Sequence, residues 1–259
     1  MASRTRARCR RRDGCACAHA RDGPGHHRFD DLRDNILSTV SHELRTPLTS
    51  IIGFSLTLKE HGSEIADTTG AEIVGHLNEQ AGKLDRLLSD LLDLDRLRHG
   101  SIRPMFRPTG VGRLASHVAA NHAADGNPVA VRADSIVAAV DAPKVERIVD
   151  NLLANAVKYT PAGTEISIRV ERANGGVLIA VDDRGPGVPE ERREEIFDIF
   201  NRGGEGSTKT PGTGIGLSLV AQFAALHNGR VWVEENPGGG ASFRVYLPAE
   251  QTASARAPR

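Results

Sequence analysis

Cysteine is absent after Cys17, neither sign of charge is in excess, and no long apolar run occurs in the 259 residues. Each absence removes a class of protein. With no cysteine beyond residue 17, disulfides do not hold the fold of the remaining chain. With 33 basic and 33 acidic residues the formal net charge is zero, which argues against a nucleic-acid binder driven by bulk charge. A transmembrane helix needs about 18 or more consecutive apolar residues, and the sequence encodes none. The chain is therefore expected to be soluble and cytoplasmic, unless a sensor or membrane region of a longer protein precedes it. Its hydrophobic fraction of 39% and charged fraction of 25% are ordinary globular values.

Residues 1–28 differ from the rest. Arg4, Arg6, Arg8, Arg10, Arg11 and Arg12 form a basic cluster with no apolar run behind it, so the stretch is no secretory signal. Cys9, Cys15 and Cys17, with His19, His26 and His27, suggest a metal site, but their spacing fits no closed zinc pattern. So little here can be buried that a disordered arginine-rich tail is the simpler expectation. A mis-assigned start, or the stump of a longer protein, is the third. The final residues, 250–259, are likewise expected to be a disordered tail.

From residue 29 the spacing predicts helix. Leu37, Leu44, Ile51 and Leu58 recur every seven residues, and Val40, Pro47 and Phe54 form a second series three residues on. These are the a and d positions of a heptad. A second helix is predicted from about Thr68 to Arg98, with Leu77, Leu84 and Leu91 in one series and Ile73, Gln80, Leu87 and Leu94 in the other. Leu88 and Leu92 widen the apolar face. Gly62, between the two, suits a helix end. One antiparallel hairpin over 29–100 buries too little apolar surface, so two should pair into a four-helix bundle, making the chain a homodimer.

Ser41-His42-Glu43-Leu44-Arg45-Thr46-Pro47 lies on the first helix. In the heptad register His42 falls at position f, farthest from the seam. A solvated surface histidine explains this equally well until the neighbours are counted. Glu43 can hydrogen-bond one imidazole nitrogen and leave the other as nucleophile. Pro47 removes a backbone donor and bends the helix one turn beyond His42.

Pro104 and Pro108 mark a linker over 101–109. After it the pattern alternates over 110–249. Helices are predicted at Val111–Ala123, Pro143–Tyr159 and Ile215–His227. Strands are predicted at Pro128–Arg132, Ile136–Val140, Glu165–Glu171, Val177–Asp182, Arg230–Glu235 and Ala241–Leu247. The fold class is therefore a helical hairpin followed by an α/β sandwich, with helices on one mixed sheet.

Four clusters in this second half carry chemistry. Asn151 and Asn155 are four apart on a predicted helix and share a face. Two amide oxygens there suit a hard cation such as Mg²⁺ carrying phosphates, with Lys158 in reach of a phosphate; a merely polar helix face is the plain alternative. Asp183-Arg184-Gly185-Pro186-Gly187 follows an apolar strand, so the glycines permit close backbone approach to a ligand. A buried carboxylate there could accept the exocyclic amine of adenine, although a plain turn fits too. Phe197 and Phe200 anchor a segment rich in Gly, Ser, Thr and Lys that could close over a nucleotide. Gly212-Thr213-Gly214-Ile215-Gly216-Leu217 then opens a helix, exposing backbone amides to phosphate without the lysine of a P-loop.

The order and spacing of these elements resemble the sensor histidine kinases of two-component systems, over about Phe29 to Pro248. The resemblance implies a dimerisation and histidine-phosphotransfer bundle followed by a GHKL-type ATP-binding domain. It implies that His42 is the phosphoacceptor, Glu43 its general base, and ATP with Mg²⁺ the donor. The phosphoryl group then passes to an aspartate of a response regulator. It further implies that Asn155 and Asn151 hold the metal, that Lys158 and Tyr159 line the phosphate side, and that Asp183 reads adenine with Gly185 and Gly187 giving room. Arg202 would sit near the γ-phosphate, and Gly212, Thr213, Gly214, Gly216 and Leu217 would form the phosphate loop. Thr46 would help place the water that dephosphorylates the regulator; a local hydrogen bond is its plain alternative. Arg184 stands where the family often has a small polar residue, and is expected to point to solvent. Two rivals remain: a nucleotide-binding pseudokinase or dimeric scaffold for a regulator, and a GHKL ATPase or serine kinase lacking a histidine-bearing bundle.

Overall fold

The computed structural model describes residues 24–61, 67–122, 126–199 and 214–248, with side chains from residue 40 in the first stretch and from residue 69 in the second. Of the expected tails, residues 1–23, with Cys9, Cys15 and Cys17, and residues 250–259 lie outside the described residues; residues 24–28, expected as part of the disordered tail, are instead the first turn of a helix. The chain divides into two units, 1–38 and 39–259, and every described side chain belongs to the second.

Helix α1 (Pro24–His61) and helix α2 (Asp67–Arg98) occupy the predicted positions. The seam residues turn inward: Pro47, Ile73 and Leu94 are buried, and Leu44, Ile51, Phe54, Leu58, Leu77, Leu84, Leu87 and Leu91 are half-buried. Phe54 stacks on His76 at 5.6 Å between ring centroids. The C-terminal turns of α2 serve a second core. Leu94 is buried among the residues of the α/β domain, and Leu91 and Leu97 pack against them.

That domain is built from strand β1 (Arg107–Gly110), helix α3 (Val111–Asn121), strands β2 (Val129–Ala133) and β3 (Val137–Val140), helix α4 (Ala142–Tyr159), strands β4 (Ile166–Ala173) and β5 (Gly176–Asp182), helix α5 (Gly216–Leu226), and strands β6 (Arg230–Glu235) and β7 (Ala241–Pro248). The five-stranded sheet has the order β2-β4-β5-β7-β6; β2 pairs parallel with β4 and every other pair is antiparallel. On β7 burial alternates from Phe243 onward: Phe243, Val245 and Leu247 are buried and Arg244 and Tyr246 between them are half-buried. Helices α3, α4 and α5 cover the apolar face. On α4, Val145, Ile148, Val149, Leu152, Leu153 and Ala156 are all fully buried, at the three- and four-residue spacing of one helical face.

One strand departs from the expectation of a single sheet. β3 leaves the main sheet and pairs antiparallel with β1, Pro108 standing opposite Ala139. β1 itself arises within the segment expected as linker. Its proline is tolerated because a two-stranded ribbon needs ladder hydrogen bonds on one side only.

His227 and Asp141 tie residues 105 and 106 to the α/β core. His227 is fully buried. Its Nδ1 lies 2.7 Å from the Phe223 carbonyl oxygen, to which it donates, and its Nε2 accepts from the Asp141 N–H at 3.0 Å. Asp141 caps α4 by accepting from the Lys144 N–H, and also accepts from the Met105 N–H at 2.8 Å. The Phe106 ring meets the imidazole edge-on at 5.4 Å. Burial holds the His227 pKa below its ordinary value, against the pull of the Phe223 carbonyl and Asp141. Because the folded chain resists protonating this ring while the unfolded chain does not, its contribution is complete above about pH 6.5 and is lost as the pH falls below that. His227→Gln, which keeps an acceptor for Asp141, is expected to flatten the fall in Tm between pH 7 and pH 5. Equal slopes for variant and wild type in thermal scans would refute it.

Candidate functional site

The first site residue is set by the hairpin. With Leu44 and Pro47 turned into the seam, His42 stands exposed on the opposite side of α1. Pro47 lacks the N–H that would bond the Glu43 carbonyl, so the backbone is loosened one turn after His42. The Thr46 hydroxyl donates to the His42 carbonyl at 3.2 Å. Glu43 is half-buried.

The second group is set by α4. Burial of its apolar face leaves Asn151 and Asn155 half-buried on the adjoining face. Asn151 donates through Nδ2 to the Arg147 carbonyl at 2.8 Å, which turns Oδ1 toward the start of α5. There a Cβ on Gly216 would stand 2.6 Å from that oxygen, so a side chain at 216 would require the Asn151 amide to move. Asn155 makes no side-chain hydrogen bond with any described residue. Lys158 lies over the Tyr159 ring, 4.8 Å from its centroid, and both side chains are exposed.

The third group gathers around Asp183, just past the end of β5 and only 4% exposed. Its Oδ1 accepts from the Gly185 N–H at 2.8 Å and the Ala241 N–H at 3.1 Å. Burial pushes its pKa up, the two backbone donors oppose this, and neighbouring Asp182 adds to the rise. A Cβ on Gly185 would come within 2.8 Å of the Tyr159 carbonyl, so the end of α4 touches this loop. Gly187 has φ +75 and faces Gly240. Asp182 points to the other face of the sheet. There burial pushes it up, but hydrogen bonds from Arg169 and Ser242 outweigh this and hold it below the usual carboxylate range.

The structure thus brings Asn151, Tyr159, Asp183, Gly185, Gly187 and Gly216 into one connected region. Gly214 (φ +69) and the half-buried Leu217 adjoin it. Phe197 packs edge-on against Phe243 at 6.5 Å. Phe200, Arg202, Gly212 and Thr213 lie outside the described residues. Among the described residues no hydrogen bond or ion pair joins the His42 side chain to this region. Arg184, expected to point to solvent, is exposed but donates to the Gly238 carbonyl at 3.0 Å.

The region fits a nucleotide by its own chemistry. It offers a buried carboxylate with one oxygen, Oδ2, unused among the described residues, glycines that admit close approach, and a half-buried amide, Asn155, with no described partner. The Thr160 hydroxyl, next to Tyr159, is buried without a hydrogen-bond partner among the described residues. The amide oxygens of Asn151 and Asn155 are hard donors of the kind Mg²⁺ takes alongside phosphate oxygens. No group of three or more His, Cys, Asp or Glu side chains able to hold a metal occurs among the described residues.

Two sets of residues carry no signal in the sequence. Asn236, Gly240 and Ala241 pack on Asp183; in the sequence Asn236 and Gly240 read only as a turn, and Ala241 only as the start of a strand. Asp90 and Asp93 on α2 pair with Arg147 and Lys144 on α4, Asp93 to Lys144 at 3.2 Å. Burial pushes Asp90 up to about 6, against the pull of Arg147. Acidic residues on a charged helix face do not point to such partners.

Two family models match the chain: the His kinase A phospho-acceptor domain over residues 32–100, and the histidine kinase-, DNA gyrase B- and HSP90-like ATPase over 140–251. Similar curated proteins include the sensor histidine kinase TmoS of Ectopseudomonas mendocina, 34% identical over 85% of this chain and 23% of that protein. The sensor-like histidine kinase SenX3 of Mycobacterium tuberculosis is 31% identical over 90% of this chain and 58% of that protein. The chain spans between 15% and 58% of the length of these curated relatives and their like. Among solved structures, full-length ShkA in complex with AMPPNP aligns at a TM-score of 0.59 and 27% identity, over 84% of this chain and 46% of that one. Histidine kinase ThkA in complex with the response regulator TrrA shares the fold at a TM-score of 0.58, with 23% identity over 88% of this chain and 64% of that one. A phosphoacceptor hairpin carrying an exposed histidine, followed by an ATP-binding α/β domain, places this chain among the sensor histidine kinases of two-component systems.

Proposed function

We propose that this chain phosphorylates itself on His42 from ATP and passes the phosphoryl group to an aspartate of a response regulator. The observation that carries the proposal is the connected Asp183, Gly185, Asn151 and Gly216 region in a chain that also bears an exposed histidine beside a glutamate. In this reading residues 29–100 are the dimerisation and phosphotransfer hairpin, 101–109 the linker and 110–249 the catalytic domain. Asp183 accepts the adenine amine, with Gly185 and Gly187 leaving room for the ring. Asn155 and Asn151 hold Mg²⁺, which neutralises phosphate charge when bound. Lys158, Tyr159, Arg202 and the amides from Gly212 through Thr213, Gly214 and Gly216 to Leu217 line the phosphates. An imidazole nitrogen of His42 bonds the γ-phosphorus as the bond to the β,γ-bridging oxygen breaks. ADP leaves with that electron pair, and Glu43 takes the proton from the other ring nitrogen. The ThkA complex with a response regulator supports the partner, and the AMPPNP complex of ShkA supports the nucleotide.

Apolar side chains left exposed on the hairpin support a homodimer: Leu48, Ile52 and Leu56 on α1, and Val74, Leu88 and Leu92 on α2, each 46–52% exposed. A second hairpin would cover the broad face that Leu88 and Leu92 extend. No helix among the described residues is long and apolar enough to cross a membrane; a cytoplasmic site of action suits a kinase that draws on ATP.

Incubation with γ-labelled ATP and Mg²⁺ is expected to give an acid-labile, alkali-stable label that His42→Ala abolishes. Asn155→Ala should lower the labelling rate by roughly a hundredfold or more, the scale of losing one pre-organised electrostatic group. Wild type that binds ATP without labelling would leave the pseudokinase scaffold as the function. Thr46→Ala is expected to keep autophosphorylation and to lose dephosphorylation of the cognate regulator. Unchanged phosphatase turnover would reduce Thr46 to its hydrogen bond with the His42 carbonyl. Sedimentation at micromolar concentration should give a dimer; a monomer there would sink the bundle.

A further inference from the structure

The Asp183 side chain is the one buried carboxylate of the nucleotide region among the described residues, and most of what holds it comes from a turn far away in sequence. Residues 236–240 join β6 to β7. Within this turn the Asn236 N–H donates to the Gly240 carbonyl at 3.2 Å, the Gly239 N–H donates to the Asn236 carbonyl at 2.7 Å, and Asn236 Oδ1 accepts from the Gly238 N–H at 3.3 Å. Asn236 Nδ2 points the other way and donates to the Asp183 carbonyl oxygen at 2.8 Å. Just beyond the turn, Ala241 accepts from the Asp183 N–H at 2.8 Å and donates its own N–H to Asp183 Oδ1. Three of the four hydrogen bonds on Asp183 therefore come from residues 236–241; the fourth, from Gly185, is local.

The approach is as close as backbone allows. A Cβ on Gly240, whose φ is +94, would stand 2.2 Å from the Asp183 carbonyl oxygen and 2.7 Å from the Arg184 Cα. From the open side, Arg184 reaches over to the Gly238 carbonyl. With its N–H, carbonyl and Oδ1 all engaged, Asp183 keeps Oδ2 as the acceptor without a described partner.

We propose that Asn236 is a positioning residue for base recognition: by tethering the Asp183 backbone it fixes the carboxylate so that Oδ2 meets the exocyclic amine of the purine. The inference rests on the reading of Asp183 as the adenine acceptor. Asn236 touches no substrate in this scheme; it acts only through Asp183. Its two amide atoms do separable work. Oδ1 holds the turn and Nδ2 holds Asp183, so Asn236→Asp keeps the first and loses the second.

The test is equilibrium binding of ATP and ITP, each with Mg²⁺, to the full chain. ITP has the same phosphates and sugar and carries a 6-oxo group in place of the 6-amine, so charge and fold effects cancel in the ratio of the two affinities. Wild type is expected to prefer ATP. Asn236→Ala and Asn236→Asp should each shrink that preference by roughly tenfold, the scale of one charge-assisted hydrogen bond. Asp183→Asn, whose amide can donate to the 6-oxo group, should remove or invert it. If Asp183→Asn leaves the ratio unchanged, the adenine reading fails and this inference falls with it. If Asp183→Asn removes the preference while Asn236→Asp keeps the wild-type ratio, the inference alone is overturned. An equal loss of both nucleotides in the Asn236 variants, with the ratio intact, marks the turn as structural and overturns it too.

Discussion

The rotation of α4 about its own axis is the constraint from which the candidate nucleotide region follows. Six fully buried side chains, from Val145 to Ala156, press one face of the helix into the sheet-covering layer. Each large buried aliphatic side chain contributes about 1.5–3 kcal/mol relative to exposure, so turning the helix away from that face would be very costly. Asn151 and Asn155 are then fixed at the margin of the core, half-buried. Neither asparagine is placed by its own bonding: one amide nitrogen holds a carbonyl in the same helix, and Asn155 has no described partner at all. Packing aims them, and the Asn151 amide oxygen so aimed lies 2.6 Å from where a Cβ on Gly216 would stand.

Asp183 obeys a different rule. A buried carboxylate is costly unless hydrogen bonds replace its water, and here the replacement is backbone from two segments that meet only in the folded domain. The donors come from Gly185 and Ala241, and both segments are rich in glycine because the chains touch at backbone distance. Apolar packing positions the asparagines and polar satisfaction positions the aspartate. The sheet order brings the two segments around Asp183 together, since β5, which ends at Asp182, lies beside β7, which begins at Ala241.

Much of this is legible in the sequence because its carriers are periodic. The heptad series on α1 and α2, the alternation on β4 and on β7 from Phe243, and the three- and four-residue spacing on α4 each arise from a face that must be buried. The features that escape a sequence reading lack a period. β1 carries Pro108 and comes after Pro104, a pair that reads as linker, and a four-residue strand such as β3 does not announce its partner. The turn 236–240 reads as a turn from Asn-Pro-Gly-Gly-Gly, but nothing local shows that it packs on Asp183. Arg184 is exposed, as its place beside a loop suggests, but nothing local shows that it meets the carbonyl of residue 238.

The acidic side chains of α2 show how the two halves of the site bear on each other. Asp90 pairs with Arg147, and Asp93 pairs with Lys144 at 3.2 Å and Arg147 at 3.8 Å, their side chains only 13–28% exposed. Burying such pairs costs desolvation that the attraction repays only in part, and the rise of Asp90 to about 6 is the sign of that cost. These pairs therefore add little net stability; their effect is orientation, since charges this far from water tolerate few alternative partners. The residue they orient is one turn from the candidate metal ligand. The carbonyl of Arg147 is the acceptor for Asn151 Nδ2, so a single residue meets α2 through its side chain and the candidate nucleotide region through its backbone. Any movement of α4 along α2 that changes the Arg147 pairing must carry Asn151 with it, because the helix between them is rigid and its opposite face is packed to zero exposure.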